Sequence, residues 1–391
     1  MTNGDRHVSS LSGKAEVGPA GKHLDEEREP GGANGRLSAS LILIKPVEKF
    51  TSTNDGFNYR TLLVERNSVK GSFLSAHVFP GGNIDEDDYT VSKMIDHDCS
   101  DMVLSALKSC AIRENFEETG ILVGTNMIDD SKPISSDREL LALTLSEWRQ
   151  KILNRSELFS NFLKFLHSNF GREVKLNSLL YYGNYHTPMI FPKRWDTHFF
   201  MSIVPEDHST DNKESGVIGL NQAIVDGAET VSMSWLTPRE AISLATSAID
   251  LPPIKLAPPQ FYFLSELCMK SDYDSIIKPT TYLKSKDIKD IGFIRKVIKF
   301  IPEICKTKFN QSNHNELVQL VLPGDPQHSS TDSLIHSSTI NKDLLKHRVY
   351  IRPQLQPKIG FLNPMGVERI GMLQVLGQGW DDMVVGQMKS F

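Results

Sequence analysis

The hydrophobic pattern of this chain starts late. Residues 1–37 are rich in Gly, Ser, Lys, Glu and Asp, and their large aliphatic side chains are few: Val8, Leu11, Val17 and Leu24 before the end. Such a segment buries too little apolar surface to offset the entropy of ordering, so a disordered tail is expected. From Ser38 the pattern changes. Ala39-Ser40-Leu41-Ile42-Leu43-Ile44 reads as a buried strand and residues 59–65 as a second one. The polar, turn-like residues 51–56 between them suggest a hairpin. Phe79-Pro80-Gly81-Gly82 then breaks the chain sharply. Residues 104–119 read as a helix closed by Gly120, since glycine takes the left-handed conformation past a helix end at no steric cost.

Further along, residues 137–169 carry Leu141, Leu145, Trp148, Ile152, Phe159, Phe162, Leu163 and Leu166 at helical spacing. Residues 197–204 form an apolar strand candidate. A short helix over 238–248 follows a strand containing Trp235, and a helix opening at Pro258-Pro259 runs to about Leu267. Beyond residue 275 the pattern weakens. Residues 291–301 suit a strand or a helix, and 317–322 and 347–351 read as strands. No internal repeat is visible.

Composition narrows the function classes. With 43 Lys+Arg against 48 Asp+Glu the formal charge is −5, so no global basic bias argues for nucleic acid or an anionic membrane surface. Four scattered cysteines, Cys99, Cys110, Cys268 and Cys305, do not make a disulfide framework, which points to a reducing, intracellular compartment. There is no CxxC, HExxH or GxxxxGK[ST]. No run of about 18 apolar residues exists, so no membrane span is expected. The tail has no apolar h-region, and its many acids do not suit a mitochondrial presequence. The final Lys389-Ser390-Phe391 is not the peroxisomal Ser-Lys-Leu address.

The candidate chemistry lies in Arg113-Glu114-Asn115-Phe116-Glu117-Glu118-Thr119-Gly120. At about 100° per residue, Glu114, Glu117 and Glu118 share one helix face within about one turn. Arg113 sits four residues before Glu117 and can brace it. Three clustered carboxylates repel unless a cation lies among them, and an all-oxygen set suits Mg²⁺ or Mn²⁺ rather than zinc. The plain alternative is a solvated acidic face. Against it, Leu104, Leu107 and Ala111 fall in line with Glu114 and Glu118, so the acids continue an apolar stripe. Helix geometry alone leaves both readings open. Upstream, Gly81-Gly82 allows a sharp turn and a close backbone approach to a ligand, or is only a turn.

These pieces together resemble the Nudix box, G-x5-E-x7-R-E-U-x-E-E-x-G-U, where U is aliphatic. Gly82 and position 88 match its opening, with Asp88 in place of Glu. Arg113, Glu114, Glu117, Glu118, Gly120 and Ile121 match its closing half, and Asn115 stands at an aliphatic position. Between Asp88 and Arg113 lie 24 residues where the pattern has seven. That interruption resembles the Nudix subfamily containing the mammalian peroxisomal coenzyme A diphosphatase. So do Arg194-Trp195-Asp196-Thr197-x-Phe199, Trp235-Leu236-x-Pro238-x-Glu240-Ala241 and Leu256-Ala257-Pro258-Pro259-Gln260-Phe261. Leu322-Pro323-Gly324-Asp325 adds a thin match in the tail.

The resemblance implies an α/β fold: a Nudix α/β/α sandwich with a mixed sheet over about 38–270, a helical insertion near 135–170 and a C-terminal extension over 271–391. The extension packs on the sandwich or forms a small appended unit. It implies Mg²⁺- or Mn²⁺-dependent hydrolysis of a diphosphate in a small-molecule substrate, coenzyme A or an acyl-coenzyme A, with release of 3′,5′-ADP. Glu117 and Glu118 would be the principal metal ligands, Glu114 a further ligand or water-orienting base, and the Gly81 carbonyl a backbone ligand. Arg113 would hold Glu117 within the catalytic group. Glu229 is the candidate for a downstream acid completing the site. Arg194 and Lys193 are candidates for binding a phosphate. The resemblance implies a peroxisomal setting, without a clear C-terminal address, and the cytoplasm and the mitochondrion are the alternatives. Two rival functions remain: a Nudix hydrolase for another nucleoside diphosphate, and an inactive Nudix binding module. His77, His186 and His198 lack metal-ligand spacing, Cys110 reads as a packing thiol, and Tyr181, Tyr182, Tyr185, Phe199 and Phe200 read as strand core before adenine-stacking surfaces.

Overall fold

The computed structural model describes residues 35–47, 55–69, 74–96, 101–128, 138–188, 191, 193–204, 216–220, 223–247, 253–276, 299–300, 303–306, 318–322, 346–353, 362–370 and 383–385. The expected tail up to residue 34, most of 291–301, and the match beyond Leu322 lie outside these residues. In chain order the first elements are β1 (Arg36–Pro46), β2 (Tyr59–Arg66), β3 (His77–Val78), β4 (Gly81–Asn83), α1 (Glu86–Ile95), α2 (Met102–Thr119), β5 (Leu122–Val123), β6 (Thr125–Met127), α3 (Arg138–Asn154) and α4 (Phe159–Phe170). Then follow β7 (Arg172–Val174), β8 (Leu180–His186), β9 (Trp195–Ile203), β10 (Val217–Ile218), β11 (Thr230–Leu236), α5 (Pro238–Thr246) and α6 (Pro258–Leu267). The C-terminal part contributes β12 (Lys299–Phe300), β13 (Glu303–Lys306), β14 (Val318–Val321), β15 (Lys346–Pro353), β16 (Leu362–Ile370) and β17 (Met383–Val385).

The main sheet runs β11-β2-β1-β9-β8-β12, with β3 on β2 and β4 on β1. It is mixed: β1 pairs with β9 and β8 with β12 in parallel, whereas β2 and β4 pair antiparallel with β1 and β8 pairs antiparallel with β9. β1 begins at Arg36, two residues before the point at which the apolar pattern starts. Pairing extends to Arg36↔Trp195 and Leu37↔Asp196, a long-range contact that local hydrophobicity does not report.

The period-2 alternation of β1 divides the core into two layers. Ile42 and Ile44 face one layer with Leu63, Phe199 and Met201 of the sheet, Ala241 and Ile242 of α5, and Phe261 to Leu264 of α6. Leu41 and Leu43 face the other with Phe200, Leu107, Ile112 and Phe116 of α2, and Phe159 and Phe162 of α4. Helices on both faces of a mixed sheet make the α/β/α sandwich the sequence implied. Each fully buried large side chain is worth roughly 1.5–3 kcal/mol relative to exposure. Phe116 stacks on Phe162 at 5.0 Å, which fastens the functional helix to the inserted one.

The inserted segment forms two helices, α3 and α4, separated by a short 3-10 turn over Ser156–Leu158. α4 ends at Gly171 with φ 59°, the left-handed stop that glycine permits. The C-terminal strands β13 to β17 form a second, antiparallel sheet of five strands. Leu322 and Ile276 reach into the layer under α5 and α6, so this region contributes to the core of the sandwich.

Candidate active site

Helix α2 starts with Asp101 as N-cap, whose side chain accepts from the Leu104 amide, and stops at Gly120 with φ 77°. Thirteen of its 18 residues are buried, including Arg113, Asn115, Glu117 and Glu118. The acidic face is therefore not a solvated surface. Asn115, at the aliphatic position of the box, is fully buried, and its amide donates to the Ile121 carbonyl at 2.6 Å. That bond ties the helix end to the chain that follows and makes the polar residue tolerable in the core.

Arg113 is 2% exposed and spends every guanidinium N–H on an oxygen. Nε donates to Asp88 Oδ1 at 3.1 Å. One terminal nitrogen donates to Asp88 Oδ2 at 2.9 Å and to the Asn83 carbonyl at 3.0 Å. The other donates to Glu114 Oε1 at 2.8 Å and Glu117 Oε1 at 2.9 Å. It has no donor left for a substrate and acts as a brace for the two glutamates. Asp88 also closes the capping box of α1 by accepting from the Asp85 amide, and accepts from Ser109 at 3.2 Å. The interruption of the box is thus an excursion through α1 and the first turns of α2, which returns Asp88 to Arg113.

Glu118 lies on the opposite flank. Its Oε2 accepts from the Gly81 amide at 3.1 Å, whereas its buried Oε1 has no hydrogen-bond donor, with Arg66 3.7 Å away. Burial pushes the Glu118 carboxyl well up. Arg66 opposes the rise, Glu114 adds to it, the Gly81 amide opposes it, and the charge of Glu229 adds to it. Glu114 is raised for the same first reason, opposed by Arg113 and reinforced by Glu229. Glu229 thus acts electrically on both carboxylates. Its loop is set by Asp226, whose Oδ1 accepts from the amides of Ala228, Glu229 and Thr230 at 2.7–3.0 Å.

The backbone around Gly81 leaves no room for a side chain, and at Gly82 the space is taken by the end of Glu114. A Cβ on Gly82 would lie 2.5 Å from the Glu114 carboxylate, and one on Gly81 would lie 2.3 Å from the Ala39 carbonyl oxygen. β4 is therefore a strand edge pressed between β1 and the glutamates. Among the described residues, no three His, Cys, Asp or Glu side chains are arranged so that they could hold a metal ion together. Glu114 and Glu117 lean on Arg113, and Glu118 leans on Gly81. The chemistry of the donors, as distinct from their arrangement, is the kind that suits a hard divalent ion. The set is all oxygen, it is crowded with like charge, and Glu118 Oε1 is buried without a donor.

The other candidates are placed as follows. Lys193 is exposed and Arg194 half-buried just ahead of β9, and the Arg194 carbonyl accepts from the Arg36 amide at 2.9 Å. β9 and β4 flank β1 on opposite sides, and both cations sit at the sheet end where β9 begins. Cys110 is buried, and burial pushes its thiol up, as an inert packing thiol requires. Tyr182, Tyr185 and Phe199 lie in one core layer and Phe200 in the other, with Tyr181 packed against it. Pro258 and Pro259 open α6 at its first positions.

Three features were missed in the sequence. Arg66, the residue after the second strand candidate, stands beside Glu118. Arg149 of α3 is 5% exposed and donates from Nε to the Glu117 carbonyl at 2.9 Å. A cation on the apolar stripe of Leu145 and Ile152 was the available signal. His186 and His198 both direct Nε2 at Asp196 Oδ1, at 3.2 and 3.4 Å, a pairing set by the β8–β9 register with no trace in residue spacing.

Comparison with known proteins adds four findings. Residues 92–267 match the family model described as the NUDT19 Nudix domain. The chain is 28% identical over 289 residues to an acyl-coenzyme A diphosphatase NUDT19 of Gallus gallus, covering 62% of this chain and 70% of the relative. It is 26% identical over 267 residues to the Xenopus laevis protein of the same name, covering 58% of this chain and 64% of that relative. A solved NUDIX hydrolase from Alicyclobacillus acidocaldarius aligns at 20% identity, with TM-score 0.45, over 63% of this chain and 97% of that one.

Proposed function

We propose that this chain, whose residues 92–267 match the NUDT19 Nudix domain, is a Nudix hydrolase that cleaves the diphosphate of coenzyme A or an acyl-coenzyme A. The products would be 3′,5′-ADP and (acyl-)phosphopantetheine. The observation that carries the hydrolytic reading is Glu118, a buried carboxylate whose Oε1 accepts no hydrogen bond and lies 3.7 Å from Arg66, beside Glu114 on a glycine edge that a Cβ would block. The substrate class rests on the two diphosphatase relatives and the interrupted box.

Bound Mg²⁺ or Mn²⁺ would supply charge neutralisation at the diphosphate and a more acidic attacking water. Glu118, Glu117 and Glu114 would hold it, with the Gly81 carbonyl and Glu229 completing the set. Glu114 lies over Gly82 and would accept the proton of the water that attacks phosphorus as the bridging P–O bond breaks. Arg113 keeps Glu114 and Glu117 in place and touches no reacting atom. Gly81 and Gly82 admit the diphosphate to the strand edge. Lys193 and Arg194, at the sheet end, suit a phosphate on a distal part of a long substrate. An intracellular, peroxisomal setting is part of the same reading. Among the described residues no helix is long and apolar enough to cross a membrane.

The test is mass spectrometry of products from coenzyme A with Mg²⁺ or Mn²⁺, beside Glu118→Gln. The expected outcome is 3′,5′-ADP from the wild type alone. Cleavage of other nucleoside diphosphates but not coenzyme A would keep the chemistry and discard the substrate. Silence on every substrate with either metal would favour a binding module.

A further inference from the structure

The last turn of α2 carries Glu117 and Glu118, and its four terminal carbonyls have no partners within the helix beyond the cap. The fold accounts for each. The Phe116 carbonyl accepts from the Gly120 amide at 2.8 Å and the Thr119 carbonyl from the Ile224 amide at 3.0 Å. The Glu118 carbonyl accepts from the Thr230 hydroxyl at 3.4 Å, and the Glu117 carbonyl from Arg149 Nε at 2.9 Å. Three separate elements thus clamp the turn: the loop at Ile224, the start of β11, and α3. Arg149 is the one charged member, at the helix end where the backbone dipole favours a cation.

The position of Arg149 is unusual for an arginine. It shares a helix face with Leu145 and Ile152, both buried, and one of its terminal nitrogens is buried without a hydrogen-bond acceptor. It also packs over Gly120, where a Cβ would lie 3.5 Å from its guanidinium. Burial alone would select against a cation here. Burial does lower its basicity, while the negative charges of Asp226, Glu118 and Glu117 sustain it. Asp226 is the residue that sets the Glu229 loop. Arg149 is thereby placed among three acids of the site, touching the backbone of one of them.

We infer that Arg149 is a positioning residue: the inserted helix α3 uses it to hold the last turn of α2, and so sets how tightly Glu117 and Glu118 bind a divalent cation. The inference rests on the metal-site reading above. It gives the insertion a role in the site, since α3 presents a cation from outside the box to the backbone of a box carboxylate.

The test is Mn²⁺ titration of the full chain followed by the free-ion electron paramagnetic resonance signal, for wild type, Arg149→Gln, Arg149→Lys and Arg155→Gln. Arg155 lies just past the same helix, exposed and paired with Glu157, and controls for loss of a nearby charge. Arg149→Gln is expected to bind Mn²⁺ about tenfold more weakly, the effect of losing an outer-shell partner. Arg149→Lys should recover part of the loss, because it keeps the charge and loses the planar fork. Arg155→Gln should match wild type. In turnover assays the metal concentration for half-maximal rate should rise in Arg149→Gln, with kcat at saturating metal retained, a split that mere loss of fold would not produce. A folded Arg149→Gln with wild-type affinity would overturn the inference. If that variant does not fold, Arg149→Lys decides, and wild-type affinity there overturns it equally. Absence of Mn²⁺ binding by the wild type would remove the metal site itself, and this inference with it.

Discussion

Replacing Asp88 probes whether the interrupted box is closed by a side-chain bridge. Asp88 is fully buried and meets the Arg113 fork with both carboxylate oxygens, at 3.1 and 2.9 Å. Burial raises its carboxyl, and the Arg113 charge and hydrogen bonds pull against that rise. The pair is therefore not a large net source of stability, and the cost appears when one partner is removed. Breaking a buried pair costs about 3–5 kcal/mol. Arg113 keeps Glu114 and Glu117 in Asp88→Ala, so the lower end, about 3 kcal/mol, is expected. Asp88→Glu restores the box residue but adds a methylene at a fully buried site, costing about 1–3 kcal/mol. Urea unfolding followed by tryptophan fluorescence would measure both. An Asp88→Ala protein within about 1 kcal/mol of wild type would refute the bridge, since two unpaired guanidinium donors cannot be that cheap.

Gly82→Ala should leave unfolding within about 1 kcal/mol of wild type, because only the flexible Glu114 end must move, yet lower kcat at least about tenfold as Glu114 is displaced. Adding Mn²⁺ at about 100 times its Kd should stabilise the protein by about 2.7 kcal/mol in thermal unfolding, and Glu118→Gln should lose most of that gain. Burial works to raise Asp196, but hydrogen bonds from His198 and Asn184 and the His186 charge outweigh it and hold the carboxyl below its ordinary value. Its stabilisation is therefore present above the unfolded value of about 3.9 and lost as pH falls through the lower folded value. Asp196→Asn should flatten that acid limb, and an unchanged limb would contradict the assignment.

Some of this protein was legible in one dimension. Glu114, Glu117 and Glu118 share a face because spacings of three and four residues are neighbours on any α-helix, whatever surrounds it. Gly120 marks the end of α2 because only the left-handed backbone there closes the turn without strain. The two faces of β1 follow from strict alternation. These are local rules, and they locate the helix, its acids and the glycine edge.

The rest depends on pairings between distant segments. The spacing of Asp88 and Arg113 looked like a disruption of the box. Packing of α1 on α2 makes it a detour that ends in the same contact. Arg66 reaches Glu118, and the charge of Glu229 acts on the glutamates, because β11 pairs with β2 so that Thr230 faces Arg66. His186 and His198 share Asp196 because of the β8–β9 register, and Arg149 reaches Glu117 because α3 docks its buried face on α2. Register and docking are set by the summed burial of many side chains, a quantity that no short stretch of sequence carries. The sequence thus determined which carboxylates stand together on one helix. The tertiary structure decided which cations and loops close around them.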